Sequence, residues 1–209
     1  IPHTLQIGNK YLPHTSTFYV DDVLVTTPES LPRPAKVYLV LCSDTGTWDG
    51  LDVYHPTNYL RFDVYASPTG NAAKVINREF RDRIRDSNGE PLVFTWFMLD
   101  GSVIATNTNP EVRFPWISNL EMMRKYRGET LRALGDELSL HYHNWVWNDP
   151  DHNGVFHWNQ SAQFSEYRDD FIETLGHLVI DGNVFPTSFR TGWHYMDSQW
   201  EACIDSLIP

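Results

Sequence analysis

The stretch Gly135-Asp-Glu-Leu-Ser-Leu-His141-Tyr-His143-Asn-Trp145 follows a segment with helical periodicity. Gly135 is a typical helix stop, and the apolar residues after it predict a short strand. Residues i and i+2 of a strand point to the same face, so His141 and His143 are expected side by side. Imidazole is a common zinc ligand, and the pair therefore predicts a site at the end of this strand. The alternative is one surface histidine and one packed among aromatic residues.

Three further apolar runs have the length of buried strands. They cover residues 36–43, 91–99 and 183–190. Helical patterns lie between or after them, at residues 72–86, 118–134, 165–177 and 195–206. Buried strands that alternate with helices predict an α/β fold with a parallel sheet. Residues 1–35, which contain several prolines, are predicted to be an N-terminal extension or cap, and residues 36–209 the main domain.

Four local features of the sequence lead to separate structural predictions. Ser118 and Glu121 have the spacing of a capping box at the start of a helix. Arg81 belongs to a charged helix face that is expected to be solvated, whereas Cys42 is expected to be a small core residue. Residues 146–163 are predicted to form a long polar and aromatic loop.

Polar residues follow each of the four predicted strands. They are Asp44, Asp100, the pair His141 and His143, and Arg190. Active sites of parallel α/β proteins gather at the carboxyl edge of the sheet. We therefore expect the four strands to be parallel neighbours and Asp44, His141 and Arg190 to open onto one cleft.

Composition excludes several classes of function. The formal net charge of -11 argues against non-specific nucleic-acid binding. No apolar run approaches the roughly 18 residues of a membrane span. The first residues lack the charged-then-apolar pattern of a signal peptide, and the chain is expected to be soluble. Two cysteines are too few for a disulfide scaffold.

Four segments, in the same order along the chain, resemble the motifs of the polysaccharide deacetylases, the chitooligosaccharide-deacetylase homology family. Residues 42–46 are similar to its Thr-Phe-Asp-Asp-Gly motif, and residues 94–98 to its second strand. Residues 135–141 resemble its Gly-His-Glu-Ile-Gly-x-His run, and residues 188–192 its arginine motif. The resemblance implies a distorted seven-stranded (β/α) barrel, of which the first four βα units are evident here.

The resemblance also implies a chemistry, namely a metal-dependent hydrolase that removes acyl groups such as acetyl from a carbohydrate. Asp44 takes the position of the base that deprotonates a metal-bound water, and His141 that of the first metal ligand. Arg190 takes the position of the arginine that orients the base. Zinc is the expected ion, with cobalt or nickel as alternatives.

Two positions depart from the family pattern. Thr45 replaces a carboxylate ligand, and Trp145 replaces the second histidine. His143 and Asp49 are the candidate substitutes. The family's late tryptophan motif and late general-acid histidine do not follow Arg190, so the chain is either a portion of a larger polypeptide or built differently in its second half.

The substrate side of the site is expected to contain Trp145, Trp193, Tyr142 and Asp100. Tryptophan is amphipathic enough to line a sugar-binding cleft, and a backbone amide near Tyr142 is a candidate oxyanion donor. Two alternative functions remain open. One is a deacetylase-like domain that binds glycans without turnover. The other is a glycosidase, which requires two facing carboxylates, for which Asp44 and Asp100 are the available pair.

Overall fold

The computed structural model describes residues 38–46, 66–105, 112–160 and 163–208. The chain divides into two compact units, Ile1–Leu39 and Val40–Pro209, and the elements below lie in the second unit. The strands are β1 (Cys42–Thr45), β2 (Thr95–Leu99), β3 (Glu137–Tyr142), β4 (Trp145–Asn148), β5 (His157–Gln160) and β6 (Phe189–Thr191). The helices are α1 (Asn71–Ile76), α2 (Arg78–Arg81), α3 (Ser102–Ala105), α4 (Ser118–Leu134), α5 (Arg168–Ile180) and α6 (Ser198–Leu207). Short 3-10 turns cover Pro115–Ile117, Phe164–Glu166 and Gly192–His194.

Four strands form a curled parallel sheet in the order β1-β2-β3-β6. The parallel pairing and the mixed α/β class are confirmed, and the predicted strands 91–99 and 137–143 contain β2 and β3. The predicted buried strand 36–43 was wrong in its position, since the strand is Cys42–Thr45 and Tyr38, Leu39 and Val40 before it are exposed. The predicted strand 183–190 is limited to Phe189–Thr191. In the register of the sheet, Leu99 lies beside His141 and His141 beside Arg190. None of the described helices is long and apolar enough to cross a membrane.

The two faces of the sheet differ sharply in polarity. Residues in register across a parallel sheet share a face. Met98 and Leu140 are completely buried and belong, with Tyr142, to the hydrophobic core on one face. The opposite face contains Asp44, His141 and Arg190, which alternate with the core residues along their strands.

An ion pair between the two outer strands shows which way the sheet curls. Strands are spaced about 4.8 Å apart, so β1 and β6 would be separated by roughly 14 Å in a flat sheet. Yet Arg190 Nε lies 3.0 Å from Asp44 Oδ1. The two side chains are too short to meet across a flat sheet, and the sheet is therefore concave on the face that contains them.

A buried ion pair stabilises the other end of the sheet, where β2 and β3 begin. Arg81 donates from Nη1 and Nη2 to the two carboxylate oxygens of Asp136, at 2.9 and 2.7 Å, and neither side chain is exposed. The same carboxylate accepts the Phe94 amide at 3.0 Å and the Trp96 indole at 2.8 Å. The expectation of a solvated Arg81 was wrong, because this helix face packs over the start of β2 and β3.

The start of α4 is stabilised by a distant carboxylate. Asp100, fully buried at the end of β2, accepts the backbone amides of Asn119 at 2.9 Å and Leu120 at 3.4 Å. The predicted capping box was wrong, since the Ser118 hydroxyl donates to the Pro115 carbonyl and Glu121 accepts the Phe114 amide. At the other end of α4, Gly135 has φ 75, the left-handed conformation expected of a helix stop.

Three other local predictions need correction. The segment 72–86 is broken at Asn77, whose side chain accepts the Phe80 amide at 2.9 Å and caps a second helix. Cys42 is exposed and is not a core residue. The predicted loop 146–163 contains an antiparallel hairpin of β4 and β5, in which Trp147 pairs with Trp158.

Removal of one partner of the buried pair should be strongly destabilising. We expect Asp136→Ala to lower the free energy of unfolding by about 3–5 kcal/mol, because it leaves the Arg81 charge buried without a carboxylate. Urea denaturation measures the loss, with Arg78→Ala as control, since the Arg78 side chain is 69% exposed. A loss below about 1 kcal/mol, the usual value of an exposed pair, would contradict the assigned role.

Candidate active site

Asp44 and Arg190 form the charged part of the site. Asp44 lies on β1 and Arg190 on β6, and their Oδ1 and Nε atoms are 3.0 Å apart. The Asp44 side chain is 42% exposed and the Arg190 side chain 26%. The carboxylate thus has a cation on one side and solvent on the other, which leaves it within reach of a water molecule.

His141 is held by the backbone of the same arginine. Its ring lies beneath the surface, and its Nδ1 atom is 3.1 Å from the Arg190 carbonyl oxygen. A carbonyl can only accept, so Nδ1 carries the proton and donates. In the neutral ring Nε2 then carries the lone pair, and in this structure that lone pair accepts a hydrogen bond from Nε2 of His143 at 3.1 Å. Metal-binding histidines usually have the same arrangement, with one ring nitrogen donating to a carbonyl and the other facing the ion.

His143 brings a second imidazole nitrogen to the same point. Its Nε2 lies 3.1 Å from Nε2 of His141, with the rings at 83°. Two nitrogens that each bind one zinc ion at 2.0–2.1 Å are about 3.0–3.4 Å apart for angles near tetrahedral or slightly smaller. The 3.1 Å separation is that of a hydrogen bond between the two rings, and it also matches the spacing of two neighbouring ligands of a single ion.

A third ligand is not among the residues that the structure describes. Within ranges 38–46, 66–105, 112–160 and 163–208, no group of three or more His, Cys, Asp or Glu side chains is placed to hold a metal. Asp49, the candidate oxygen ligand, lies outside those ranges. Its predicted role stays a prediction.

Tryptophans support the second histidine. Trp145 stacks on the His143 ring at 4.1 Å and 26°, and Trp193 meets it edge-on at 5.1 Å. Trp145 is only 4% exposed, so its face is occupied by His143 and does not line an open cleft. Trp193 is 37% exposed and lies at the rim of the site.

Gly192 is a residue that the sequence analysis missed. A Cβ atom at this position would lie 2.2 Å from Nδ1 of His143, closer than any side-chain atom can approach. The signal in the sequence is a glycine between the arginine motif and an aromatic residue, which indicates close approach of the backbone to another group. Its partner became visible only in the folded chain.

Two of the predicted substrate-binding residues lie away from the open face. The Tyr142 ring is in the core, against Phe171, and its hydroxyl donates to Asp170. Burial is the main cause that raises the pKa of the Tyr142 hydroxyl. Asp100 caps α4, and burial raises the pKa of its carboxyl to about 7, although the two amide bonds act in the opposite direction.

The floor of the concave face is a second polar cluster, centred on Glu137. Its carboxylate accepts the hydroxyls of Thr95 at 2.9 Å, Thr187 at 2.7 Å and Ser188 at 3.0 Å. Glu137 lies four residues before His141 on the same face of β3. Its hydrogen bonds join β2, β3 and the segment before β6, and so hold the strands beneath the histidines.

Comparison with protein-family models, curated proteins and solved structures finds no match to this chain.

The contact between Gly192 and His143 leads to a prediction. We expect Gly192→Ala to reduce stability by about 1–3 kcal/mol, because the added methyl group overpacks against the imidazole. In the control, Gly176→Ala, the new Cβ meets nothing within 4 Å, and stability should rise by a few tenths to about 1 kcal/mol inside α5.

The combination Gly192→Ala with His143→Ala separates the two explanations. If the clash is with His143, the double variant should be more stable than the sum of the two single changes predicts. Strict additivity in chemical denaturation would show that the methyl group disturbs something else.

Proposed function

We propose that this protein is a metal-dependent hydrolase that removes acyl groups, such as acetyl, from a carbohydrate. The observation that carries the proposal is the double role of Arg190. Its guanidinium holds the Asp44 carboxylate at 3.0 Å, and its carbonyl oxygen holds the His141 ring at 3.1 Å. One residue thus contacts both the proposed proton acceptor and the proposed metal-binding imidazole. The proposed fold is the distorted seven-stranded barrel of the polysaccharide-deacetylase type, of which four parallel strands are described.

His141 and His143 would hold the metal ion through their Nε2 atoms, with Asp49 as the proposed oxygen ligand. Imidazole nitrogens with a carboxylate suit zinc, and also cobalt or nickel. When bound, a divalent ion polarises the carbonyl oxygen of the acyl group and makes water a stronger acid.

The protein residues supply the proton transfer. Asp44 accepts a proton from the attacking water, for which its 42% exposed side chain has access. Arg190 fixes the orientation of the carboxylate and offsets its charge. The water oxygen attacks the acyl carbon, the bond from that carbon to the sugar nitrogen or oxygen breaks, and the leaving atom takes the proton back from Asp44. A carboxylic acid and the free amine or hydroxyl of the sugar are released, and Asp44 is again a carboxylate.

Glycan binding without turnover is the second candidate function. It is favoured by two positions where the family resemblance calls for metal ligands. Thr45 is 8% exposed, and its hydroxyl donates to the Ser43 carbonyl at 3.2 Å. Trp145 has no group that binds a metal. A glycosidase finds less support, because the Asp100 carboxylate is used by α4 and does not face Asp44 across a cleft.

The proposed metal ligands are tested by replacing both histidines with alanine. His141→Ala with His143→Ala should abolish stoichiometric uptake of zinc or cobalt, measured by elemental analysis and by cobalt absorption. The control is His152→Ala, at the exposed tip of the β4–β5 hairpin. Uptake that persists in the double variant, with a circular dichroism spectrum like that of the unmodified chain, would rule out these ligands.

The proposed role of Asp44 as the base is tested by replacing it with an uncharged residue. Asp44→Asn should slow release of acetate from an acetylated oligosaccharide by at least about 10²-fold, the usual contribution of a positioned base. Arg190→Lys should also be slow, because a lysine cannot reproduce the planar guanidinium contact. Asp169→Asn, with a side chain 97% exposed, is the matched control.

The outcomes separate the candidate functions. Acetate release that survives Asp44→Asn defeats the proposed mechanism. Glycan binding by a chain that takes up no metal and releases no acetate supports the binding-module alternative.

A further inference from the structure

A pocket of about 510 Å³ lies at the amino end of the sheet. Its walls come from one face of α4, the start of β3 and the segment between α5 and β6, and they include Arg124, Gly128, Arg132, Leu138, Asn183 and Val184. Pockets that hold small molecules usually measure roughly 300–1,000 Å³, so this pocket has the size of a binding site. Leu138 and His141 lie on opposite faces of β3, and the pocket is therefore separate from the histidine pair.

Two arginines and a glycine form one stripe of α4 along the pocket. Arg124, Gly128 and Arg132 are spaced i, i+4 and i+8, so they lie on the same face of the helix. The two arginines are separated by about 12 Å along the helix axis. A ligand that sits above Gly128, where no side chain projects, is within reach of both guanidinium groups.

The charges of these two arginines repel each other. Within the part of the chain that the structure describes, neither Arg124 nor Arg132 forms an ion pair, and the Arg132 side chain makes no hydrogen bond. Burial and the charge of Arg132 both lower the pKa of the Arg124 guanidinium, and they outweigh the opposite effect of Glu121. A bound anion would offset this repulsion.

The carboxylate of Asp136 also lines the pocket, but it is already used. It accepts two hydrogen bonds from Arg81, one from the Phe94 amide and one from the Trp96 indole. Glu129 is an exposed residue of the same wall. Its charge favours a ligand with one anionic group over a ligand with several.

Packing does not explain the glycine in the middle of α4. Among the described residues, the nearest side-chain atoms to a Cβ at Gly128 would be Cβ and Cγ of Arg124, at 3.6 and 3.8 Å, which is ordinary contact. Alanine would therefore fit, and it would stabilise the helix by about 1 kcal/mol relative to glycine. A larger side chain at this position would occupy the space between the two arginines.

The opposite wall is held to α4 by one of the arginines. Arg124 donates from Nη1 to the carbonyl of Gly182, the residue before Asn183. Asn183 has φ 46, a left-handed conformation that asparagine adopts more readily than most residues, and its amide group can donate to an anion. This hydrogen bond orders the pocket before a ligand arrives, which reduces the entropy lost on binding.

We propose that this pocket binds a small phosphorylated molecule, with its phosphate group between Arg124 and Arg132 and an apolar part against Leu138 and Val184. A phosphate monoester carries about 1.5–2 negative charges near pH 7, which matches two guanidinium groups better than the single charge of a carboxylate does. Guanidinium groups also bind phosphate oxygens in a bidentate manner. The formal net charge of -11 disfavours nucleic acids and other long polyanions, and the expected ligand is therefore small.

The test is calorimetric titration of the whole chain with inorganic phosphate, phenyl phosphate and benzoate, in a buffer free of phosphate and sulfate. Phenyl phosphate should bind more tightly than the other two probes, because it offers both the charge and the apolar part. Arg132→Gln should weaken its binding by at least about tenfold, the usual effect of a lost hydrogen bond to a charged group. Gly128→Leu should weaken it similarly by filling the space, whereas Gly128→Ala should bind almost as well as the parent.

Arg168→Gln is the matched control, since the Arg168 side chain is 59% exposed and lies outside the pocket, and it should bind like the parent. Binding that is equally tight in Arg132→Gln and Gly128→Leu would place the phosphate elsewhere, including at a metal held by the histidines, and would overturn the proposal. Failure of the parent to bind either phosphate compound would overturn it as well. Benzoate that binds as tightly as phenyl phosphate would overturn the choice of ligand. Acetate release does not depend on any of these outcomes, so the hydrolase proposal is judged separately.

Discussion

The carboxylate of Asp136 accepts two hydrogen bonds from Arg81, one from the Phe94 amide and one from the Trp96 indole. Arg81 ends α2, Phe94 precedes β2, and Asp136 lies between the glycine that ends α4 and the start of β3. Burial of two charges costs several kcal/mol per ion unless their hydrogen bonds are made. Here the hydrogen bonds form only when the three segments are packed together. The pair thereby sets the register of β2 against β3. That register places Leu99 beside His141 at the other end of the same strands.

The curl of the sheet brings the polar side chains on its concave face close to one another. Along β3, Leu138, Leu140 and Tyr142 pack on the core side, while Glu137, Ser139 and His141 occupy the concave side. In a flat sheet, Asp44 and Arg190 would lie on separate edges. In the curled sheet, their side chains meet across the concave face. Beneath them, the Glu137 carboxylate stabilises this face by accepting hydroxyl hydrogen bonds.

One of the two departures from the deacetylase motifs, Trp145, has a definite structural role in this arrangement. The family's second histidine would come four residues after the first, where this chain has Trp145. Here the second imidazole is at His143, and Trp145 stacks on it and orients it. The strained Trp193 turn and the side-chain-free Gly192 close the other side. In the proposed metal site, Trp145 thus supports the imidazole that would take the place of the missing ligand.

Local features of the sequence determined the elements and their class. Apolar runs predicted four parallel strands, although the first and the last of these strands lie largely outside the predicted runs, and Gly135 predicted the end of α4. Of the polar residues after the strands, Asp44 and Arg190 contact each other and His141 contacts the Arg190 backbone, whereas Asp100 caps α4. These signals are local because they depend on periodicity and on the backbone freedom of single residues. Tertiary structure alone decided the burial of Arg81, whose carboxylate partner is 55 positions away, and the capping of α4 by Asp100, 19 positions before the amide it accepts. It also determined which tryptophan rings are buried and why position 192, beside His143, has no room for a side chain. Desolvation and close approach depend on which distant groups share a space, and a single sequence does not contain that information.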